Sequence, residues 1–336
     1  MTDNEPLLSV TNLVHEFRTT GGVIHAVSGV SFDVYPGETL GVVGETGSGK
    51  STLARSVLQA PRPTSGEVTF RGTDLTTLRG ARLLQARRHL QMVFQDPFGS
   101  LDPKWSVRNL VEEPLIAYRT GSKNARRQRV DEVLELVGLD PASHGHRRPR
   151  ELSGGQAQRV AIARAIALNP ALLICDEPVS SLDVLIQAQV LNLFERLRTE
   201  LSLSYLFIAH DLALVKQVSD RVAVMYLGRL CEVGPGETVY REPLHPYTRA
   251  LLDSVPGTEP GARRTTRTIS GEPPSPIDPP SGCRFRTRCP RAAGLCAAHE
   301  PPMRELAEGH TVACHFPLVE AARTTVRSEE IKETPR

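Results

Sequence analysis

The sequence predicts an α/β fold built on a largely parallel sheet, with a small extension after it. Three short apolar runs, TLGVVG, ALLICDE and YLFIAHD, are typical of strands that are buried on both faces of a sheet. Helical spacing occurs between them, since apolar residues recur every three to four positions over Val130–Val137 and over Ile186–Phe194. Because strands that alternate with helices favour a parallel sheet, we expect short loops at one of its edges.

The composition is that of an ordinary soluble globular protein. Its 336 residues include 40 Lys and Arg against 38 Asp and Glu, and this balance argues against nucleic-acid binding over the whole surface. No apolar run reaches the roughly 18 residues that span a bilayer, and the start, MTDNEPLLSV, lacks the basic region of a secretory signal. We therefore expect a cytoplasmic protein, in which clustered cysteines bind metal more often than they form disulfides.

Strand-like segments and a proline-rich linker predict the bounds of the main domain. Leu7–Val34 is strand-like, and RVAVMYLGRLCEVG predicts a hairpin that turns near Gly228. Gly271–Gly282 has five prolines in twelve residues, which predicts an extended linker. We therefore expect a main domain at residues 1–255 and an extension at residues 256–336.

The segment GETGSGKS, which follows the first buried run, fits a phosphate-binding loop. Gly47 and Gly49 let the backbone approach phosphate oxygens, Lys50 supplies a positive charge, and Ser51 offers a hydroxyl to Mg²⁺. A glycine turn that matches by chance is the alternative, but the preceding strand and the helix-like STLARSVL argue against it. The residues expected to contact a nucleoside triphosphate here are Gly44, Gly47, Ser48, Gly49, Lys50, Ser51 and Thr52.

The run ALLICDEP predicts a buried strand that ends in two acidic residues. Asp176 can hold the Mg²⁺ shell, and Glu177 can act as the general base on the attacking water. Alone, two acids at a strand end are more often the solvated start of a loop. Beside a phosphate loop, the catalytic interpretation is favoured.

A second helix start suited to phosphate lies in ELSGGQAQRVAIARAIA. Ser153 is a good N-cap, and the adjacent Gly154 and Gly155 again permit a close approach of the backbone to an anion. A single nucleotide rarely needs two such helix starts from one chain. The pattern therefore predicts two copies arranged head to tail, each of which completes the site of the other.

Together, GETGSGKS, LSGGQ at residues 152–156 and CDEP at residues 175–178 resemble the ATP-binding subunit of an ABC transporter. This resemblance implies a P-loop NTPase (RecA-like) core, an N-terminal antiparallel β subdomain, an inserted helical subdomain at about 95–165 and a small irregular C-terminal extension. It also implies roles for single residues outside these motifs. Gln95 would reach the metal and the attacking water, and His210 would contact the γ-phosphate. Asp183 would lie in the loop that crosses the dimer interface, and Gln156 would belong to the signature. Phe17 is the expected stacking aromatic under adenine, although a plain core or edge-strand Phe is equally compatible.

Longer strings resemble one branch of that family. VFQDPFGSLDP, EPVSSLDVLIQAQV and HPYTRALL are similar to the ATPases of oligopeptide and dipeptide importers. The resemblance implies ATP-driven import of peptides, nickel or another small solute. It also implies a second ATPase subunit, two membrane permeases and an extracytoplasmic solute-binding protein as partners, with no nucleic acid. The chain would act peripherally at the cytoplasmic face of the membrane.

Two other functions use the same motifs. Soluble ABC proteins of repair, chromosome or ribosome work share them, but usually carry two ATPase modules or long coiled coils, which this chain lacks. An ATP-dependent iron–sulfur sensor is the second. The candidate basic patches for nucleic acid are more simply the solvated face of the helical subdomain; they are Arg126, Arg127, Arg147, Arg148 and Arg150.

Four cysteines are concentrated in the extension, at Cys283, Cys289, Cys296 and Cys314, with gaps of five, six and seventeen residues. The first two gaps are too wide for zinc knuckles and do not match common ferredoxin spacings. Zinc, disulfides and free thiols are alternatives. The resemblance to peptide-importer ATPases, which include iron–sulfur members, favours a [4Fe–4S] cluster on these four thiols. The other two cysteines, Cys175 and Cys231, are expected to be small buried hydrophobes.

Overall fold

The structure of the protein is a computed structural model, which describes residues 5–254 and 271–318. The expected boundary between residues 255 and 256 lies outside the described residues. Within them, no helix is both long and apolar enough to cross a membrane. The strands are β1 (Leu8–Thr19), β2 (Gly22–Val34), β3 (Thr39–Val43), β4 (Ser65–Phe70), β5 (Thr73–Asp74), β6 (Leu90–Val93), β7 (Leu172–Asp176), β8 (Ser204–Ala209), β9 (Arg221–Tyr226), β10 (Arg229–Pro235), β11 (Arg304–Ala307) and β12 (His310–Val312).

The helices connect and cover these strands. They are α1 (Lys50–Val57), α2 (Gly80–Arg87), α3 (Pro97–Ser100), α4 (Val107–Ala117), α5 (Lys123–Leu136), α6 (Pro141–His144), α7 (Gly154–Ile166), α8 (Val184–Leu201), α9 (Leu212–Val218), α10 (Gly236–Arg241), α11 (Pro246–Ser254) and α12 (Gly294–Ala298). The predicted α/β fold is confirmed.

The described strands form two sheets. The smaller is antiparallel with the order β2-β1-β4-β5, and the larger has the order β11-β12-β10-β9-β3-β8-β7-β6. In the larger sheet β9, β3, β8, β7 and β6 are parallel. Every residue of β3, β7 and β8 is buried, as their continuous apolar runs predict. The carboxyl ends of β3, β8, β7 and β6 therefore lie side by side at one edge.

The region of about 95–165, where the helical subdomain is predicted, holds helices and no strand. Ser106 and Ser122 begin α4 and α5, because each hydroxyl accepts a hydrogen bond from the backbone N–H three residues later. The apolar faces of α4, α5 and α7 pack into one core cluster with the inner side of the larger sheet. This packing fixes the N-terminus of α7 relative to the larger sheet.

The extension is less irregular than expected, because it continues the larger sheet. β12 pairs antiparallel with β10, and β11 pairs with β12. Phe285 is buried against Tyr226 and Tyr247 at ring-centroid distances of 5.2 and 5.3 Å. Because a segment with few apolar residues cannot form its own core, the extension packs against the core of the main domain. The proline-rich Gly271–Gly282 has neither helix nor strand, as predicted.

Candidate active site

The phosphate loop connects the buried strand β3 to helix α1. Gly47 and Gly49 have φ angles of 80° and 102°, in the left-handed region that glycine adopts readily. A Cβ at position 49 would lie 2.0 Å from the carbonyl oxygen of Ala26. Glycine is therefore required at position 49 both by its backbone conformation and by the close approach of β2. Ser48 and Thr52, the other predicted contacts, lie in the loop and in the first turn of α1.

Lys50 is buried at the start of α1, with its ammonium group turned toward the loop. Nζ donates to the carbonyl oxygens of Gly44 at 2.7 Å and Glu45 at 3.0 Å. Burial lowers the pKa of Lys50, and the nearby carboxylates of Glu177, Asp176 and Glu45 oppose that shift in this order. The charge of Lys50 thus lies between the loop and the two acids, Asp176 and Glu177, at the end of β7.

Asp176 and Ser51 meet across the site. The Ser51 hydroxyl donates to Oδ1 of Asp176 at 2.8 Å, and Asp176 is almost fully buried. Burial raises the pKa of Asp176, and the hydrogen bond from Ser51 partly offsets this. A hydroxyl and a carboxylate oxygen are the hard ligands that Mg²⁺ prefers, so this pair fits a magnesium site completed by phosphate and water. Gln95, the third predicted magnesium contact, binds Glu177 instead.

Glu177 lies between the two other predicted catalytic residues. Oε2 of Glu177 accepts a hydrogen bond from Nε2 of Gln95 at 3.0 Å and lies 3.4 Å from Nδ1 of His210. The backbone of Glu177 is left-handed, with φ of 47°, and its N–H donates to the carbonyl of Ile208 at 2.9 Å. A non-glycine residue in this conformation is strained, and such strain is concentrated at functional sites. The ends of β6, β7 and β8 thus bring three distant side chains together.

The signature residues form the N-terminus of α7. Ser153 caps the helix, since its hydroxyl accepts from the N–H of Gln156 at 3.3 Å, while Oε1 of Gln156 accepts from the N–H of Ser153 at 3.0 Å. A Cβ at Gly155 would lie 2.7 Å from Cγ2 of Ile186, whereas at Gly154 the nearest side-chain atom is 3.4 Å away. Within the described chain, no hydrogen bond or ion pair joins these residues to the phosphate loop. The structure therefore does not bring the two predicted phosphate sites of one chain into contact.

Asp183 begins α8 beside the signature. Its carboxylate accepts from the N–H of Ile186 at 3.0 Å, so it is an N-cap. The next two residues, Val184 and Leu185, are large apolar residues that are 82% and 69% exposed. Phe17, the predicted adenine contact, lies near the end of β1 with 38% of its surface exposed and its ring 4.5 Å from that of His15.

Sequence reasoning missed two residues that hold the phosphate loop. The N–H of Glu45 donates to the Tyr247 hydroxyl at 2.9 Å, and the side chain of Glu45 pairs with Arg288 at 2.7 Å. Tyr247 lies in HPYTRALL, which was informative only through family resemblance, and Arg288 lies between Cys283 and Cys289. Their sequence distance of about two hundred residues from the loop leaves no local pattern that could have identified them.

The four cysteines of the extension lie in one neighbourhood, but they do not form a metal site as placed. The N–H of Cys283 donates to the carbonyl of Cys296 at 2.8 Å, and burial raises the pKa of Cys314 to about 11, reinforced by the nearby thiols of Cys283, Cys289 and Cys296. In residues 5–254 and 271–318, no group of three or more His, Cys, Asp or Glu could hold a metal ion. The iron–sulfur site expected from the family resemblance therefore finds no support in this arrangement. Cys175 and Cys231 are buried, as predicted.

Two family models match the chain. Residues 27–180 match the ABC transporter family, and residues 231–296 match the oligopeptide/dipeptide transporter C-terminal region. The second match spans Cys283, Cys289 and Cys296 and ends before Cys314.

Curated proteins resemble the chain along almost its whole length. It is 49% identical to the putative oligopeptide transport ATP-binding protein YkfD of Bacillus subtilis, covering 93% of this chain and 95% of that protein. It is 49% identical to the oligopeptide transport ATP-binding protein AppF of Bacillus subtilis, covering 89% and 92%. A putative peptide import ATP-binding protein of Brucella ovis is 47% identical, covering 92% and 97%.

Solved structures share the fold of the main domain. A dimeric post-hydrolysis state of the ATP-binding cassette MJ0796 with ADP and Pi superposes with a TM-score of 0.62 at 30% identity, covering 68% of this chain and 98% of that one. The cbiO1 protein of Clostridium perfringens, part of the ABC transporter complex cbiONQ, gives a TM-score of 0.63 at 29% identity and covers 71% and 92%.

Proposed function

The chain belongs to the ABC transporter family, as an ATP-binding subunit of the oligopeptide and dipeptide type, and from this premise we propose that it hydrolyses ATP to energise the import of peptides through a pair of membrane permeases. Above all, the arrangement of Gln95 and His210 around the carboxylate of Glu177 supports this function. It lies beside a phosphate loop whose lysine and serine face the same edge of the sheet.

The phosphates of ATP would occupy the loop between β3 and α1. Backbone N–H groups of the loop and of the start of α1 would surround the phosphate oxygens, with Lys50 supplying positive charge. Ser51 and Asp176 would hold Mg²⁺, and Gln95 would approach it from β6. Mg²⁺ bound there would offset the negative charge of the phosphates. The exposed ring of Phe17 would stack on the adenine.

Glu177 would act as the general base of hydrolysis. It accepts a proton from a water whose oxygen attacks the γ-phosphorus, while the bond from that phosphorus to the β–γ bridging oxygen breaks and ADP leaves. Gln95 orients the carboxylate and the water. His210 lies close to the same carboxylate oxygen as Gln95, and it would contact the γ-phosphate.

A second ATPase subunit would complete the site. The signature residues Ser153–Gln156 do not contact the phosphate loop of their own chain, so they are available to the nucleotide of a partner. The exposed Val184 and Leu185 after Asp183 are apolar surface of the kind that a dimer covers. A related cassette with ADP and Pi is dimeric, which is consistent with this assembly.

Two permeases and an extracytoplasmic solute-binding protein are the further partners that we infer. The permeases would dock on the helical segment after Gln95, where two large apolar side chains, Phe98 and Trp105, are exposed. The chain would then work at the cytoplasmic face of the membrane. Nucleic-acid or ribosome work is not favoured, because the similar curated proteins are named for oligopeptide transport or peptide import.

The [4Fe–4S] cluster stays a prediction that rests on the four cysteines and on the family resemblance. It is supported by the proximity of the four cysteines in one module, and opposed by their arrangement, which is not that of a metal site. Iron and sulfide analysis of protein purified without oxygen shows whether the cluster is present. A colourless, iron-free protein would remove the cluster, and with it the basis for an iron–sulfur sensor.

The function is tested by peptide uptake in cells. A strain that lacks this chain should lose uptake of a labelled oligopeptide, and the wild-type chain should restore it. Glu177→Gln should assemble with the same permeases and fail to restore uptake. Normal uptake in the deletion strain, or full rescue by Glu177→Gln, would contradict the proposal.

A further inference from the structure

The phosphate loop and the C-terminal extension are joined by a shielded ion pair. Nη1 of Arg288 donates to Oε2 of Glu45 at 2.7 Å, and Nη2 donates to Oε1 at 3.1 Å. Each guanidinium nitrogen thus faces its own carboxylate oxygen, the two-pronged geometry that makes such pairs strong and directional. The Arg288 side chain is only 6% exposed. Loss of Glu45 would leave the guanidinium charge of Arg288 in a poorly solvated place.

Glu45 is held at its backbone as well as its side chain. Its N–H donates to the hydroxyl of Tyr247 at 2.9 Å. Its carbonyl oxygen accepts from Nζ of Lys50 at 3.0 Å and from the N–H of Ser48 at 3.1 Å. The orientation of this one residue is therefore coupled to the loop backbone and to the lysine that would meet the phosphates.

Arg288 is itself fixed by the core. Its N–H donates to the carbonyl of Phe285 at 3.0 Å, in a turn whose Phe285 side chain is buried between Tyr226 and Tyr247. Nη1 also lies 3.3 Å from the hydroxyl of Tyr226, and the guanidinium carbon lies 5.8 Å from the centre of that ring. A long side chain anchored at both ends transmits the position of its backbone to Glu45.

A second path connects the extension to the same loop. The guanidinium of Arg284 donates to the carbonyl of Leu227 and to the hydroxyl of Ser28, the latter at 2.9 Å. The next residue, Gly228, donates its N–H to the carbonyl of Ser48 at 2.8 Å. Both paths end on the loop between β3 and α1, and neither involves the catalytic residues.

We propose that Arg288 is a positioning residue for ATP binding, which acts through Glu45 to hold the phosphate loop in its binding conformation. The affinity of the loop for nucleotide thus depends on the extension. This inference rests on the proposed function, since it requires the loop to bind ATP.

The test compares four variants with wild type: Arg288→Gln, Arg288→Lys, Glu45→Gln and the double variant Arg288→Gln/Glu45→Gln. Arg286→Ala is the matched control, because both side-chain hydrogen bonds of Arg286 go to Ser281 within the extension. Equilibrium binding of a fluorescent ATP analogue, the KM and kcat for ATP, and the melting temperature without nucleotide are measured. Melting temperature separates loss of folding from loss of affinity.

Arg288→Gln should weaken analogue binding and raise KM by about tenfold, which corresponds to about 1.4 kcal/mol of binding free energy. The kcat should change less than about twofold, because the substitution leaves the catalytic residues in place. Arg288→Lys should recover part of the affinity, because it keeps the charge and loses the fork. The double variant should bind no more weakly than either single variant, the sign of a direct coupling. Arg286→Ala should bind like wild type.

Unchanged affinity in both Arg288 variants, or additive losses in the double variant, would overturn the inference while leaving the ATPase intact. A fall in melting temperature with no change in affinity would reduce Arg288 to a structural contact. If the wild-type protein itself bound no ATP, the proposed function would fail, and this inference with it.

Discussion

Gln95 donates a hydrogen bond to the carboxylate of Glu177 at 3.0 Å, although 82 positions separate the two residues in the sequence. The contact exists because β6 and β7 are adjacent and parallel, so that the residues that follow them emerge at the same edge. His210 approaches the same oxygen from the end of β8. The topology of the sheet therefore assembles the proposed base together with two groups that can orient it.

Removal of the Gln95 amide should slow catalysis without removing the nucleotide. In Gln95→Ala, the carboxylate of Glu177 loses its hydrogen-bond donor, and we expect kcat to fall on the order of 10²-fold, as for a lost partner of a general base. ATP affinity should stay within about threefold. Steady-state kinetics with a separate binding titration measure both, and an unchanged kcat would show that Gln95 does not assist Glu177.

The glycines of the phosphate loop should differ in their sensitivity to substitution. Gly49→Ala places a Cβ 2.0 Å from a backbone carbonyl of β2, whereas Gly47→Ala, also left-handed, meets no atom within 4 Å. We expect Gly47→Ala to cost about 1 kcal/mol of backbone strain and Gly49→Ala about 1–3 kcal/mol more, because β2 must move. Urea unfolding of the nucleotide-free variants measures this difference, and equal stabilities would contradict it.

The local motifs explain why this part of the site could be predicted. The phosphate loop, the capped signature helix and the two acids at the end of β7 each depend on a few consecutive residues and on one flanking element. Their chemistry follows from residue type. Their convergence followed from the prediction of a parallel sheet, which β3, β8, β7 and β6 confirm.

What depends on the extension could not be predicted. Its two short strands carry no distinctive alternation, so nothing in them indicates that β12 pairs with β10. The ion pair between Arg288 and Glu45 spans 243 positions. Cysteine spacing predicts a metal site only if the chain turns each thiol toward one point. The described fold brings the cysteines near one another without doing so.

The buried carboxylate of Glu232 should anchor the extension to the main domain. It accepts from Nε2 of His310 at 2.7 Å and from the N–H groups of Leu244 and His245 at 2.7 and 2.8 Å. Glu232→Ala leaves these donors without an acceptor, and we expect a loss of about 3–5 kcal/mol in the free energy of unfolding. Glu237→Ala, an exposed control on α10, should change it by less than about 0.5 kcal/mol. Similar stabilities for the two variants would rule out this anchor.

The stability of the protein should fall in mild acid because of His245. Burial lowers the pKa of His245 to about 4, with Glu232 opposing the shift, and its Nδ1 accepts from the N–H of Tyr247. The unfolded chain binds this proton near pH 6.5, so the stabilisation is complete above that pH and is lost as pH falls toward about 4. From pH 7 to pH 5 the loss should be about 2 kcal/mol.

Burial also lowers the pKa of His15 and His89, so these residues contribute to the same loss of stability in acid. A variant of His245 separates its contribution from theirs. In His245→Asn, the side-chain oxygen can accept the same hydrogen bond and does not titrate. Urea unfolding at pH 7 and pH 5 should therefore show a smaller loss in the variant than in wild type. Equal losses in the two proteins would assign the acid sensitivity to other groups.

Hydrolysis by purified Glu177→Gln tests the central claim most directly. The substitution keeps the size of the side chain and its contacts with Gln95 and His210, but it cannot accept the proton of the attacking water. We predict that the variant binds ATP within about threefold of wild type, accumulates as an ATP-bound dimer, and hydrolyses ATP at least about 10²-fold more slowly. Hydrolysis at the wild-type rate, with ATP bound normally, would contradict the assignment of this site as the catalytic centre.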